Sequence, residues 1–554
     1  MSERRLAPPS SSPDLSPLAA AGILTAIALV GFVWRCYSIG TRCLWYDEAL
    51  SFYMSRYPLS DFVGHMADRN HPPVYFLILK AWIAVFGSSR LALRVPSLIF
   101  GELAIFGMYP FVVEALRGRT GSDGVRPPVP PRAREIGLWA AAFVALSTSQ
   151  IRWSWEVRMY SLGAAFTVFL SWLLFRTLHA RSGLFRLWLL YAVVALLFAY
   201  THYFALFVIA AHGILVVGYL AVEARRAPDS DAAVPQPHGD SYLKRLFGHP
   251  QFRPAVLAGA IICVGWLPWV PIFLDQRESK IEVRDWQPPP DWKAARTYAY
   301  HLLIEPEAYV PPEATGTALY CAIICVAIPL ALLWRARAVD WCVILSAALP
   351  IGLSFVASYF FDMRIFYSRY FLFAQLFILA GAALVIGRSR FPWERVAIGS
   401  MLVLVMAGLD MRYIRSLNLS KYPSYAGLVA FIDAERQPSE PVIVCYRHYY
   451  LSVLYQAGDA PGWYMFGKDP DPVNDAHMAM GAEHVKRQED LEAITGGRVW
   501  VVNTAAINGR SFKVDVPTRW VLKNQTNFAD RYGMGPRNLE VLEYEVPPAV
   551  EESR

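Results

Sequence analysis

The sequence predicts an all-α polytopic membrane protein with a small α/β domain after its last span. Three observations carry that expectation. Hydrophobic residues make up 55% of the 554 positions. Apolar runs of about 20 residues, the length that crosses a bilayer as a helix, recur from residue 18 to residue 409. Beyond Arg412 the composition changes to short helix-like and strand-like pieces in alternation.

In order, residues 1–17 are Pro- and Ser-rich and are expected to be disordered and cytoplasmic. The run 18–37 is followed by no A-x-A-like site, so it is an uncleaved first span rather than a signal peptide. A polar stretch with Asp47 and Glu48 comes next. The run 74–87 is apolar but short and broken by Lys80, which suits an interfacial helix on the outer surface. Further spans are expected at 91–116, 136–149, 160–178, 187–203, 204–222, 255–274, 315–334, 341–360, 371–386 and 396–409, for about eleven crossings. Residues 18–409 form the transmembrane domain and 410–554 the α/β domain. In the latter, helices are expected at 425–436, 449–456 and 489–495, and strands at 441–445, 498–502 and 539–546.

The short loops 117–135, 179–186, 223–254, 335–340 and 387–395 are rich in Arg and Lys, which places them and the N-terminus in the cytoplasm. The opposite loops also carry Arg. This parity puts 38–90, 150–159, 275–314, 361–370 and everything after 410 outside the cell membrane. The dense polar clusters then all collect on that one face.

The net charge of +7 is spread over short loops, which is no nucleic-acid signature. The seven Cys lack metal-ligand or disulfide spacing, and Cys321 and Cys325 are small packing residues of an apolar span. No P-loop, G-x-G-x-x-G or H-E-x-x-H is present. Asp469-Pro470-Asp471 has the D-x-D form that holds a metal and a nucleotide diphosphate in soluble sugar transferases; here it is a Pro-rich turn, and no metal site is assigned.

Each polar cluster has two readings. Asp47-Glu48, framed by Trp45 and Tyr46 at a membrane boundary, is a solvated loop pair or a carboxylate that takes a proton from an attacking hydroxyl. His71-Pro72-Pro73 opens a helix, since Pro suits a first turn, or supplies His71 to a site. In Arg152 to Tyr160, a helix would put Arg152, Glu156 and Tyr160 on one face, with Arg152 and Glu156 paired. Arg158 would point elsewhere, snorkelling to the interface or holding a phosphate in its planar fork. Thr201-His202-Tyr203 ends a span, and its His is either packed or a ligand. Arg364 and Ser368-Arg369-Tyr370 mark another outer boundary, where a bound anion would explain Arg369. The charged loop 275–291 is a solvated connector or a cavity cover.

At these residues the chain resembles the GT-C glycosyltransferases of the protein O-mannosyltransferase and aminoarabinose transferase type, with their Rgt-like relatives. The features are Trp45-x-Asp47-Glu48-Ala49, His71-Pro72-Pro73-Val74-Tyr75, Phe86-Gly87 with Arg94, Glu156 to Ser161, Thr201-His202-Tyr203-Phe204 and Ser368-Arg369-Tyr370-Phe371. The match runs over about residues 18 to 390. The resemblance implies transfer of a sugar, such as a hexose of the mannose kind, from a polyprenyl-phosphate donor to an extracytoplasmic protein, lipid or glycan acceptor; a base acting from the side opposite the phosphate predicts inversion. It implies an acidic catalytic residue at Asp47, with Glu48 beside it in the catalytic set. Donor phosphate would be bound by Arg158 and Arg369, with Tyr160, His202, Tyr203 and Tyr370 around it; His71 and Arg364 complete the substrate-binding set. No cofactor is implied. The alternatives are a lipid or glycan flippase, which would carry ionisable groups near mid-membrane, and a non-catalytic relative.

Overall fold

The computed structural model describes residues 15–67, 71–121, 123–225, 242–278, 290–304, 315–417, 424–467, 485–504, 512–531 and 536–548. The D-x-D triplet at Asp469 to Asp471, the first 14 residues and most of the charged loop 275–291 lie outside them.

Before the first long loop comes α1 (Pro17–Cys36), whose N-cap Ser16 accepts from Ala19 N–H at 3.1 Å. The loop holds α2 (Tyr46–Ser55), α3 (Phe62–Ala67) and α4 (Val74–Phe86). Then follow α5 (Arg90–Arg117), α6 (Ala133–Ala145), α7 (Thr148–Ser154), α8 (Tyr160–Leu178), α9 (Leu184–Ala199) and α10 (Ala205–Arg225). The next group is α11 (Tyr242–Gly248), α12 (Phe252–Trp266), α13 (Val270–Glu278), α14 (Trp292–Leu303) and α15 (Thr315–Leu333). The bundle closes with α16 (Ala338–Phe360), α17 (Leu372–Ile386) and α18 (Pro392–Leu417).

Nine helical segments among the described residues are long and apolar enough to cross a membrane, and each coincides with an expected span. The other two expected spans are the shorter helices α6 and α9. Their burial separates the spans into an inner and an outer set. Of their apolar stretches, α8 is 72% and α17 78% buried, against 17% for α1 and α15. The outer helices present bare apolar side chains such as Val33 and Leu404, as a bilayer requires.

The inner pair touches closely. A Cβ on Gly163 of α8 would run into the ring of Phe373 of α17. That ring lies edge-on to His202 at 5.2 Å and packs on Phe198. Gly163→Ala is therefore expected to cost about 1–3 kcal/mol by overpacking, read as a lower melting temperature in detergent; an unchanged melt would mean that the two helices do not meet there.

The break between α6 and α7 is held by a charge inside the membrane part. Arg35 of α1 is buried and donates to the carbonyls of Ala145 at 3.0 Å and Val144 at 3.3 Å and to Ser154 Oγ at 3.2 Å. Carbonyls in the last turn of a helix are left under-satisfied, and the guanidinium stands where water is missing.

The remaining residues build α19 (Ser424–Glu435), α20 (Arg447–Gln456) and α21 (Gln488–Ala493) around one sheet. Its strands are β1 (Val442–Val444), β2 (Trp463–Phe466), β3 (Val485–Lys486), β4 (Arg498–Thr504), β5 (Val521–Arg531) and β6 (Pro536–Glu545), in the order β3-β2-β1-β4-β6-β5. The first four are parallel; β6 runs antiparallel to β4 and β5. Strand β1 is wholly apolar and buried, as a central parallel strand covered on both faces should be. Of the six, the sequence indicated β1, β4 and β6. Helix α18 runs on to Leu417, so the mixed unit begins with α19.

This unit sits on α2. Tyr53 donates to Asp459 Oδ1 at 2.7 Å, Arg56 pairs with Asp459 Oδ2 at 2.6 Å, and Phe52 meets Tyr455 edge-on. Burial, then the bond to Asp459, holds the Tyr53 hydroxyl well above its ordinary pKa, so it stays a donor.

Candidate active site

Helix α2 begins at the centre of the site. Asp47 and Glu48 are its second and third residues, in the turn where unpaired N–H groups favour acids. One residue of helix is a rotation of about 100°, and the two carboxylates part accordingly.

Glu48 is fully buried and turned to Arg94 of α5. Arg94 donates from Nε and Nη2 to the two Glu48 oxygens, at 2.7 Å each. Its other donors reach the carbonyls of Ile39 and Arg42 at 2.8 Å and Cys43 at 3.0 Å. All five guanidinium N–H groups are thus used. Glu48 also accepts from Val157 N–H at 3.1 Å and Trp45 N–H at 3.4 Å. This arrangement locks the loop before α2 to the start of α5 and to the segment before α8.

Asp47 keeps 17% of its side chain exposed and meets two arginines from distant parts of the chain. Arg369 Nη1 lies 3.0 Å from Asp47 Oδ2, and Arg158 Nε lies 4.0 Å from the same oxygen. Arg369 comes from the 3₁₀ turn Ser368–Phe371 that starts α17. Its guanidinium lies over the faces of Tyr367 at 4.8 Å, Trp153 at 5.6 Å and Trp45 at 5.8 Å, a cage that suits a cation.

Arg158 is almost fully buried. It donates to His71 Nε2 at 2.7 Å, Ser51 Oγ at 3.2 Å and the Asp47 carbonyl at 3.4 Å. A guanidinium only donates, so His71 accepts at Nε2 and carries its proton on Nδ1. The expected helical face of Arg152, Glu156 and Tyr160 does not exist as such. Helix α7 ends at Ser154, and residues 155–159 turn before α8 begins. Arg152 and Glu156 pair across that turn, and Glu156 accepts from Trp45 Nε1. The turn is what aims Arg158 at Asp47.

His71 reaches this place because the start of α4 is tied to the end of α9: Val74 N–H donates to Tyr200 C=O at 3.0 Å. The His71 and His202 rings are 6.3 Å apart. His202 is buried; its Nδ1 accepts from Phe204 N–H at 3.1 Å, so the proton is on Nε2. Among the described residues that Nε2 has no hydrogen-bond partner. Tyr160 and Tyr370 pack on the same ring at 5.6 and 5.7 Å.

Two candidates lie in other arrangements. Tyr203 donates to Gln276 and accepts from Trp269 at 3.0 Å, and Gln276 donates to Met66 C=O at 3.0 Å, so Tyr203 ties α13 to the first long loop. Arg364 pairs with Asp362 within its own loop, where both residues have left-handed backbone (φ 51° and 52°). Sequence reasoning did not place Arg94 or Ser51 in the site, nor the ring cage of Trp45, Trp153 and Tyr367. Arg94 stood among the features of the resemblance, beside Phe86-Gly87, but with no role in the site.

No family model and no curated protein matches the sequence. Solved structures do match in three dimensions. Apo ArnT from Cupriavidus metallidurans is similar at TM-score 0.51 and 13% identity, covering 94% of this chain and 98% of that one. The same protein bound to undecaprenyl phosphate gives 0.51 and 14%, covering 95% and 98%. The oligosaccharyltransferase of Archaeoglobus fulgidus, solved with Zn and sulfate, gives 0.45 and 11%, covering 90% and 74%, too distant to bear on the site. At such identities the ArnT likeness speaks for architecture alone, and over nearly the full length of both chains that architecture is the GT-C fold.

Proposed function

We propose that this chain is a membrane glycosyltransferase that moves a sugar from a polyprenyl-phosphate donor to an acceptor hydroxyl on the extracytoplasmic side of the cell membrane. The observation that carries the reading is the meeting of one part-exposed carboxylate, Asp47, with two guanidiniums, Arg158 and Arg369, drawn from far along the chain. The binding of undecaprenyl phosphate by ArnT, which has the same fold, supports a lipid phosphate as the anion.

In this reading the donor phosphate takes Arg369 away from Asp47. The carboxylate, relieved of its partner, then accepts the proton of the acceptor hydroxyl. The acceptor oxygen forms a bond to the anomeric carbon from the face opposite the phosphate. The carbon–oxygen bond to phosphate breaks, and its electron pair leaves with the polyprenyl phosphate. Configuration inverts in the single displacement. One negative charge grows on the leaving phosphate, and Arg158 and Arg369 are already in place to stabilise it. His202 offers its Nε2–H to the same donor. Glu48 holds the frame through Arg94 and takes no proton.

The direct test is purified protein with a panel of polyprenyl-phosphate sugars, mannosyl and aminoarabinosyl donors among them, scoring released polyprenyl phosphate. Release from none of them, with acceptors of all three classes present, removes the proposal. Arg158→Ala and Arg369→Ala are each expected to lower kcat/KM for the donor about 10²-fold. Arg158→Lys should not rescue, because one ammonium cannot reach His71, Ser51 and the Asp47 carbonyl as the fork does. Normal donor kinetics in both alanine variants would place the phosphate elsewhere.

A further inference from the structure

The structure holds a second basic site, at the other end of the bundle. A cavity of about 600 Å³ opens between the start of α6, the end of α15 and the end of α17. Arg369 stands just before the start of α17 and Gly387 just after its end. The 15 residues of that helix separate the two sites by about 22 Å at 1.5 Å per residue. The loops around the cavity are those whose Lys and Arg content assigns them to the cytoplasmic side.

Five of the twelve lining residues are arginines, Arg132, Arg335, Arg337, Arg388 and Arg390, and none is acidic. Three of them build the frame. Arg388 donates to the carbonyls of Ala331 at 2.6 Å, Trp334 at 3.0 Å and Leu332 at 3.1 Å, closing the end of α15. Arg132 donates to Ser389 C=O at 3.1 Å and binds the 387–391 turn to α6. Arg337 and Arg388 share one buried carboxylate, Asp340, at 3.2 and 3.0 Å. Two guanidiniums on one carboxylate leave the frame itself positive. Arg335 and Arg390 are exposed at the rim, with no ion pair among the described residues. The contrast nearby is sharp: Arg119 pairs with Glu223, and Arg126 and Arg176 with Glu114.

The cavity floor is apolar, made by Leu116, Ile136 and Leu384. Trp334 stands on the rim 75% exposed, the place of an aromatic anchor at the membrane interface. A fixed, positive frame with two exposed guanidiniums at its rim, over an apolar floor at a bilayer surface, matches a phosphate headgroup with its first acyl carbons. The volume is within the range of small-molecule pockets, about 300–1,000 Å³. We propose that this cavity binds the phosphate headgroup of an anionic lipid of the cytoplasmic leaflet, as a site separate from that of Asp47. Basic pockets between spans hold such headgroups by charge and by the guanidinium fork.

The test uses the full chain in neutral detergent, with native mass spectrometry and melting in added phosphatidylglycerol, phosphatidylcholine or inorganic pyrophosphate. Retention of phosphatidylglycerol over phosphatidylcholine is expected. Arg335→Gln with Arg390→Gln should weaken that retention about 30-fold, since each surface guanidinium counts about fivefold. Each single variant should show part of the loss, which serves if the double variant does not fold. Equal retention of both lipids, or of phosphatidylglycerol by wild type and variants, overturns the site. Pyrophosphate that raises the melt as much as the lipid does, at equal concentration, overturns the lipid assignment in favour of a free anion. None of these readouts depends on sugar transfer, so failure here leaves the Asp47 reading standing.

Discussion

Asp47→Asn is expected to lower sugar transfer about 10³-fold while leaving donor binding intact. Asn matches Asp in shape but cannot take a proton at the rate the displacement needs. The exchange also removes the charge that holds Arg369 Nη1 at 3.0 Å. The guanidinium is then free for the donor phosphate from the outset, so KM should stay level or fall as kcat collapses. That split separates a base from a purely structural acid, whose loss would raise KM and lower yield. The position is part-exposed, so stability should change by less than about 1 kcal/mol. The measurement is initial rate against donor concentration, with the melting temperature alongside. A variant with normal kcat would remove Asp47 as the base.

The neighbouring acid should behave in the opposite way. Arg94→Met leaves Glu48 fully buried without its cation and strips donors from three loop carbonyls. Breaking a buried pair from one side costs about 3–5 kcal/mol, because the remaining charge is uncompensated. For a chain of ordinary marginal stability this should appear as loss of monodisperse protein and a melt lowered by several degrees. Adding Glu48→Leu to the same chain should recover part of the loss, since no lone charge then remains in the interior. If Arg94→Met melts like wild type, the five-donor clamp is not what holds the loop before α2. Two adjacent acids, one tied to turnover and one to folding, give the sharpest check on the site.

The pairing of Glu48 with Arg94 also shows where reading residues in a row stops. The string Asp47-Glu48 names two acids and gives them equal standing, and the sequence reading put both in the catalytic set. Helical rotation sends one into the protein and leaves the other part-exposed beside Arg158 and Arg369, a difference that only the packing of α2 reveals. The segment from Arg152 to Tyr160 is a second case. Its spacing fits a continuous helix, but the chain turns after Ser154, and the turn carries Arg158 to Asp47. Lys80 is a third. It interrupts an apolar run, and in the fold it donates to the carbonyls of Ser55 and Tyr57 at the end of α2. Strand β5, Val521–Arg531, was not legible either: its residues are largely polar, and it is a strand because β6 supplies the hydrogen bonds.

By itself the sequence indicated the spans, because about 20 apolar residues in a row satisfy their backbone inside a bilayer as a helix. It also determined the mixed character of the C-terminal unit and the order in which the polar clusters appear. The tertiary structure decided which members of those clusters meet: Asp47 with Arg158 and Arg369, His71 with His202, and Glu48 with Arg94. The physical reason is range. Hydropathy and helix periodicity act over a few turns of chain, whereas Asp47 and Arg369 lie 322 positions apart and are joined only when α2 and α17 are packed into one bundle.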